Sequence, residues 1–340
     1  MKVTLVDKIT APSLESKLSF VGLDSWSNLI HDTYNYKVYR YLAEEDSQIR
    51  GALALLEIKH PIFGHYLATA PFGSYGGFAY ETIEARDALL DEARRIAEEI
   101  QVEYVSIRFD EGGSTPPKHW TQTPAYYTFQ IDLPTNPDEL LKQFSSDHRN
   151  HVRKSLKKGH SIRFGHLDLL DDAYEALARS MHELGSPYHS KNYLRKMAEY
   201  LGDTLEFAVV YNTKGKITGG GVFIQQGDTV FNLHANILRH GRSGYAGEFL
   251  YWSVIERSIE KGLKTFDLGR SLVSSGNEVF KMKWAPRKEL LAYWYWVAPG
   301  HELPSLNQKN PKFQFAIATW KKLPAFIVRP LGPFLIRGLA

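Results

Sequence analysis

Apolar residues recur along this chain with two different periods. Alternation at every second position marks strands over 36–42, 49–58 and 62–69. After the turn Pro71-Phe-Gly-Ser-Tyr-Gly-Gly-Phe78, a 3.6-residue period from about Thr82 to Ile100 predicts an amphipathic helix. A strand over 102–109 follows, then a polar loop over 110–122 with Pro116-Pro117, then a strand over 126–133. The same order returns in the second half. Strands over 205–211, 217–225 and 230–237 lead through the Gly-containing loop 239–246 into a helix from about Gly247 to Lys261, stopped by Gly262. A strand over 264–267 and a last strand over 289–297 complete the second copy. Repetition on this length scale predicts two tandem α/β units rather than a solenoid.

Between the copies a helix is predicted from Asn136-Pro-Asp-Glu139, an N-cap with proline at the first helical position, to Gly159. Arg149, Arg153 and Lys157 recur every fourth residue and share one face, which Lys154 and Lys158 widen. A strand over 161–167, a helix of about 171–184 and the turn Gly185-Ser-Pro-Tyr188-His189 come next. The expected organisation is a domain over 1–134, a basic joining helix over 135–160, a domain over 161–300, and an apolar, basic tail over 301–340. That tail suits either a bilayer surface or a strap across the protein's own core.

Composition narrows the chemistry by exclusion. Lys and Arg number 41 against 38 Asp and Glu, a net charge of +3, so any basic function must come from local clusters. Without cysteine there is no disulfide, thiolate zinc site or cysteine nucleophile. The histidines at 148, 151, 182 and 189 fit no zinc spacing, so no metal is expected. No signal peptide or membrane-spanning run is evident, and a cytoplasmic location is expected, extending to the inner face of the plasma membrane if the tail binds there. There is no Gly-x-Ser-x-Gly, no Walker loop and no strand-linked Gly-x-Gly-x-x-Gly.

Two loops remain as candidates. The loop Arg239-His-Gly-Arg242-Ser-Gly244 precedes a helix N-terminus, which suits an anion. It occupies the place of the pyrophosphate loop of acyl-CoA N-acetyltransferases, but has Arg242 where their first glycine stands, which disfavours CoA. The aromatic, uncharged loop around Tyr75, Gly76 and Gly77 suits a sugar or peptide instead. The guanidinium groups of Arg149 and Arg153 match a diphosphate.

The tandem units, the Pro71–Gly77 loop, the stretch His148-Arg-Asn-His-Val-Arg-Lys-Ser-Leu-Lys-Lys-Gly159, and Asp267-Leu-Gly-Arg270-Ser271 followed by Phe280-Lys281-Met-Lys-Trp284 together resemble the FemAB-type peptidoglycan bridge aminoacyltransferases. The turn at Tyr188 and His189 and the tail over 320–340 further resemble FemAB-like proteins of exopolysaccharide and exosortase (PEP-CTERM) clusters. The resemblance spans roughly residues 20–340. It implies two tandem GNAT-like domains with mixed central sheets, of α/β (α+β) class. It also implies transfer of an acyl or aminoacyl group from a carrier to an amine on a UDP-linked or lipid-linked cell-envelope precursor. The donor is a co-substrate, aminoacyl-tRNA in the known bridge enzymes, and no tightly bound cofactor is implied.

Carried over by motif, Lys281 lies beside the donor ester and Asp110 near the incoming amine; on that basis Lys281 is expected to stabilise the developing oxyanion, and Asp110 to accept a proton or orient the amine. Phe280 lies beside the donor ester. Tyr75, Gly76 and Gly77 line the acceptor groove, and Arg149 and Arg153 meet its diphosphate. Tyr188, His189, His234, Arg242, Arg270 and Ser271 complete the expected substrate-binding set. The low net charge and the absence of a helical-hairpin arm leave two other readings open. One is an N-acyltransferase with a CoA or carrier-protein thioester donor acting on an exopolysaccharide amino sugar. The other is a non-catalytic membrane-surface adaptor. The transferred group, the acceptor and the oligomeric state are not fixed by the sequence.

Overall fold

The computed structural model describes residues 1–109, 112, 114–122, 126–273, 275–303 and 311–339. The chain forms two compact units, one of Met1–Tyr127, Glu289–Leu306 and Arg337–Ala340, the other of Thr128–Lys288 and Asn307–Ile336.

The first unit is a mixed sheet with one long helix on it. The strands Lys2–Val6, Lys37–Glu45, Gln48–His60 and Gly64–Ala68 pair antiparallel in that order. The helix Ile83–Glu99 then carries the chain across to Tyr104–Phe109, which lies parallel to Gly64–Ala68 with Tyr66 opposite Tyr104. Thr82 starts this helix by accepting a hydrogen bond from the Ala85 N–H at 3.2 Å. Its apolar face, Ala85, Leu89, Leu90, Ala93 and Ile96, packs on Leu53, Leu55, Phe78, Phe109 and Trp294.

Trp294 belongs to the strand Arg287–Val297, expected in the second domain but paired antiparallel with Tyr104–Phe109, Trp294 opposite Ile107. Leu291, Ala292, Tyr293, Trp294 and Trp296 are all buried, as in a strand covered on both faces. Such a run specifies a central strand without specifying which sheet accepts it.

The second unit repeats the plan. Ser161–Gly165, Leu205–Tyr211, Ile217–Gln226 and Thr229–Ile237 pair antiparallel, and the helix Ala246–Glu260 leads to Thr265–Asp267, parallel to Thr229–Phe231. Gly262, at φ +74°, follows the helix in the left-handed conformation that ends it. On its other side Thr265–Asp267 pairs antiparallel with Gln130–Asp132. The parallel contact is only three residues long. Among the described residues, Asn232–Ile237 is therefore laddered on one side alone.

Two local expectations change. The joining segment is not one helix but two, Pro137–Gln143 and Ser146–Leu156. Ser145 accepts from the His148 N–H at 3.2 Å, a second N-cap, while the extended Phe144 turns its ring toward Trp284 at 5.5 Å. The loop 239–246 is wound into a 3-10 turn over Arg239–Gly244.

Candidate active site

The end of the strand Thr265–Asp267 organises the site. Asp267, 1% exposed, accepts hydrogen bonds from Thr128 Oγ1 (2.8 Å), Gln130 Nε2 (3.2 Å) and the Gly269 N–H (2.6 Å). Ser275 caps the short helix Gly276–Met282 by accepting from the Glu278 N–H. That helix delivers Lys281 to the interior. The Lys281 ammonium donates to the carbonyls of Gly269 and Arg270, both at 2.8 Å, and lies 5.5 Å from the centre of the Phe129 ring. Burial pushes Lys281 down to about 7; Asp267 opposes the fall and the neighbouring Arg270 adds to it. The ammonium form has three N–H bonds, and with two given to carbonyls it keeps one donor for a third oxygen.

Asn232, the first residue of the edge laddered on one side, donates to the Leu268 carbonyl (3.4 Å) and to Tyr251 Oη (2.9 Å). Asn232 and Lys281 thus bond to consecutive peptide carbonyls, Leu268 and Gly269. Phe280 packs edge-on against Tyr251 at 5.3 Å, and Ser271 is buried with its Oγ lacking a hydrogen-bond partner among the described residues. Phe280, Lys281, Arg270 and Ser271 are accordingly neighbours. Asp267, quoted above only as the start of a motif, joins them, as do Asn232 and Tyr251, which sequence reasoning did not select. Their signal was present: an Asn inside an alternating strand and an Asp closing an apolar one are polar groups destined for burial.

Behind this group, Trp284 is fully buried and meets His148 edge-on at 4.5 Å. His148 is itself 1% exposed, and burial, helped by Lys283, holds its imidazole down at about 4. The basic helix therefore faces inward with His148 and Val152 and outward with Arg153 and Lys154. Arg149 turns back along its helix, donating to the carbonyls of Phe144 (2.6 Å) and Lys142 (3.1 Å) and capping Pro137–Gln143. Arg149→Ala is expected to cost about 1–2 kcal/mol of unfolding free energy through those charged hydrogen bonds. An unchanged urea midpoint would contradict that reading.

A second cluster joins Tyr188, His189 and His234. His189 stacks on Tyr193 at 4.0 Å and lies 5.8 Å from His234, which is 5.6 Å from Tyr188. Burial lowers His234 to about 4, lowers His189 well below its usual range, and raises the Tyr188 phenol. Tyr188 and His189 line a cavity of about 310 Å³ together with Arg179, His182, Val328 and Arg329.

These neutral imidazoles tie stability to pH. The unfolded chain takes up protons near pH 6.5 while the native chain resists until about 4, so the unfolded state binds more protons in that window and acid favours it. The expected loss is about 2 kcal/mol per buried imidazole by pH 5. Urea midpoints measured from pH 7 to 5 read it directly, and a flat profile would rule it out.

Tyr75, Gly76 and Gly77 belong to the first unit, where the Gly76 N–H donates to Arg108 O and the Gly77 N–H to Leu18 O, each at 2.9 Å. At φ +126°, a Cβ on Gly76 would stand 2.4 Å from the Leu18 carbonyl oxygen, so backbone geometry alone demands glycine there. Arg242 is exposed on the 3-10 turn. Asp110 lies outside the described residues.

Residues 145–282 match the family described as Acetyltransferase (GNAT) domain. Solved structures with a similar fold include "Crystal structure of FemX", at a TM-score of 0.65 and 15% identity, covering 88% of this chain and 98% of that one. A tandem GNAT protein from the clavulanic acid biosynthesis pathway follows at 0.56 and 11%, covering 88% and 100%. L-PGS from Bacillus licheniformis aligns at 0.54 and 12%, covering 92% and 95%. No curated protein matches the sequence. The fold is that of two tandem GNAT-like units, and the acyltransferase domain matched within the second of them supports a transferase.

Proposed function

We propose that the protein transfers an aminoacyl or acyl group from an ester donor to an amine of a cell-envelope precursor. The observation that carries this reading is Lys281, a buried lysine whose pKa burial brings to about 7 and whose ammonium form keeps one N–H to give, next to Asn232 where the strand edge becomes unpaired on one side among the described residues. Backbone groups of Asn232–Ile237 would hold an extended donor along that edge. The Lys281 N–H would meet the ester carbonyl oxygen as negative charge develops on it. The incoming neutral amine forms the C–N bond, the ester C–O bond breaks, and the proton lost by the amine ends on the departing hydroxyl. Alignment and one oxyanion donor are the two contributions asked of the protein.

Two features favour an aminoacyl ester over an acyl-CoA thioester. In the 3-10 turn, the Arg239 N–H is already bonded to the Glu183 carboxylate at 2.6 Å and the Gly241 N–H to the Leu238 carbonyl, which leaves a poor cradle for a pyrophosphate. The same turn touches the basic helix segment: His160 Nε2 donates to the Gly244 carbonyl at 2.7 Å and His151 lies 5.0 Å from the Tyr245 ring. Exposed Arg153, Lys154, Lys157, Lys158 and Arg242 thus belong to neighbouring segments, a surface suited to the phosphates of an RNA carrier. A further structure of similar fold, the C-terminal domain of a putative lysylphosphatidylglycerol synthetase at a TM-score of 0.54 and 12% identity, agrees by its name with an aminoacyl group and a lipid acceptor. Native mass spectrometry of freshly purified protein tests the donor class. Charged tRNA or a UDP-linked precursor is expected, and a bound acyl thioester would overturn the ester reading.

A further inference from the structure

The tail is neither wholly a strap nor wholly free. The helices Pro311–Trp320 and Ala325–Ile336 fasten to the second unit through one side. Trp320 Nε1 donates to the Ser186 carbonyl at 3.1 Å, His182 Nε2 to the Trp320 carbonyl at 3.1 Å, and Arg329 pairs with Glu175. Val328 and Gly332 face inward, and a Cβ on Gly332 would stand 2.8 Å from the Tyr188 carbonyl oxygen.

The other side is apolar as well. Phe326 and Phe315 are 77% and 75% exposed, the highest values among the described large apolar residues, and Pro330 and Leu331 lie open about one turn after Phe326. A helix that is apolar all round yet covered on one side only is built for a second apolar environment. Charge identifies which one. From residue 303 to 340 the chain holds Lys309, Lys312, Lys321, Lys322, Arg329 and Arg337 and no Asp or Glu at all. Among the described residues no helix is long and apolar enough to cross a membrane, so these helices would lie on a bilayer rather than span it.

We propose that the exposed face of the C-terminal helix pair docks on an anionic phospholipid surface, with Phe315 and Phe326 entering the acyl boundary and Lys321 and Lys322 meeting the headgroups. The inference does not depend on the chemistry proposed for Lys281. Its test is flotation of the full chain with vesicles of phosphatidylcholine alone and of phosphatidylcholine with one quarter phosphatidylglycerol. The wild type is expected to float with the second and not the first, and to be released by high salt. Phe315→Ser/Phe326→Ser should weaken binding about tenfold or more, since two exposed aromatic rings no longer insert, with the circular dichroism spectrum unchanged. Lys321→Glu/Lys322→Glu should do the same through charge, and serves as the independent variant if the serine pair misfolds. Equal binding to both vesicle types, wild-type binding by both variants, or no binding at all would overturn the proposal. So would a concentration-dependent dimer in sedimentation that the Phe315→Ser/Phe326→Ser variant abolishes, since the face would then belong to a second copy of the chain.

Discussion

Lys281→Met should lower the rate of transfer by about 10²–10³-fold while leaving the apparent affinity for the donor within a few-fold of wild type. The asymmetry follows from geometry. Two of the three Nζ donors are fixed on Gly269 and Arg270, so the third meets substrate at one point, and that contact strengthens as charge gathers on the carbonyl oxygen. Methionine fills nearly the same volume and removes a buried ammonium whose burial opposes its charge, so the fold should tolerate it. Single-turnover rates, with donor affinity measured separately, distinguish this from loss of binding. Equal losses in both would make Lys281 a binding residue only.

Asp267→Ala carries the second large effect, on stability. The carboxylate is almost fully buried and satisfies Thr128, Gln130 and the Gly269 N–H at once. Truncation strands three donors and withdraws the negative charge that partly offsets the burial of Lys281. Breaking such a group typically costs about 3–5 kcal/mol. Because the Asp267 field raises the Lys281 pKa, its loss should also displace the lysine-dependent limb of the pH–rate profile to lower pH. Denaturation by urea reads the first consequence and the pH profile of any remaining activity the second. A variant as stable as wild type would mean that the Asp267 network is not what holds the loop 268–270 in place.

Much of this arrangement is legible in the sequence, and the exceptions have physical causes. The long helix over 83–99 announces itself through Thr82 and an uninterrupted apolar stripe, and the helix over 246–260 through its stop at Gly262. Local chemistry of this kind needs no knowledge of the rest of the chain. Lys281 stood out differently, through the resemblance, as the lysine of the Phe280-Lys281 pair. The break between Gln143 and Ser146 was hidden because Phe144 continues the apolar stripe, and only the cluster of Trp284, Trp252 and His148 explains why its backbone leaves the helix. The destination of the strand Arg287–Val297 was hidden because an apolar run does not encode its partner. Asn232 and Tyr251 escaped notice, and Asp267 opened a motif without a role of its own, since a buried polar residue becomes meaningful only once its neighbours are known. Arg149 illustrates the converse. Its spacing suggested a face for a diphosphate, yet its guanidinium closes the preceding helix.

The most direct test of the central claim is to offer purified protein a charged tRNA carrying an isotopically labelled amino acid, together with an amine-bearing UDP-linked envelope precursor, and to read the precursor by mass spectrometry. The account predicts that the precursor gains one labelled aminoacyl group through an amide bond, and that Lys281→Met reduces the yield in a fixed short time at least a hundredfold. A precursor left unlabelled by the wild-type protein, or labelled equally well by the Lys281→Met variant, would contradict it.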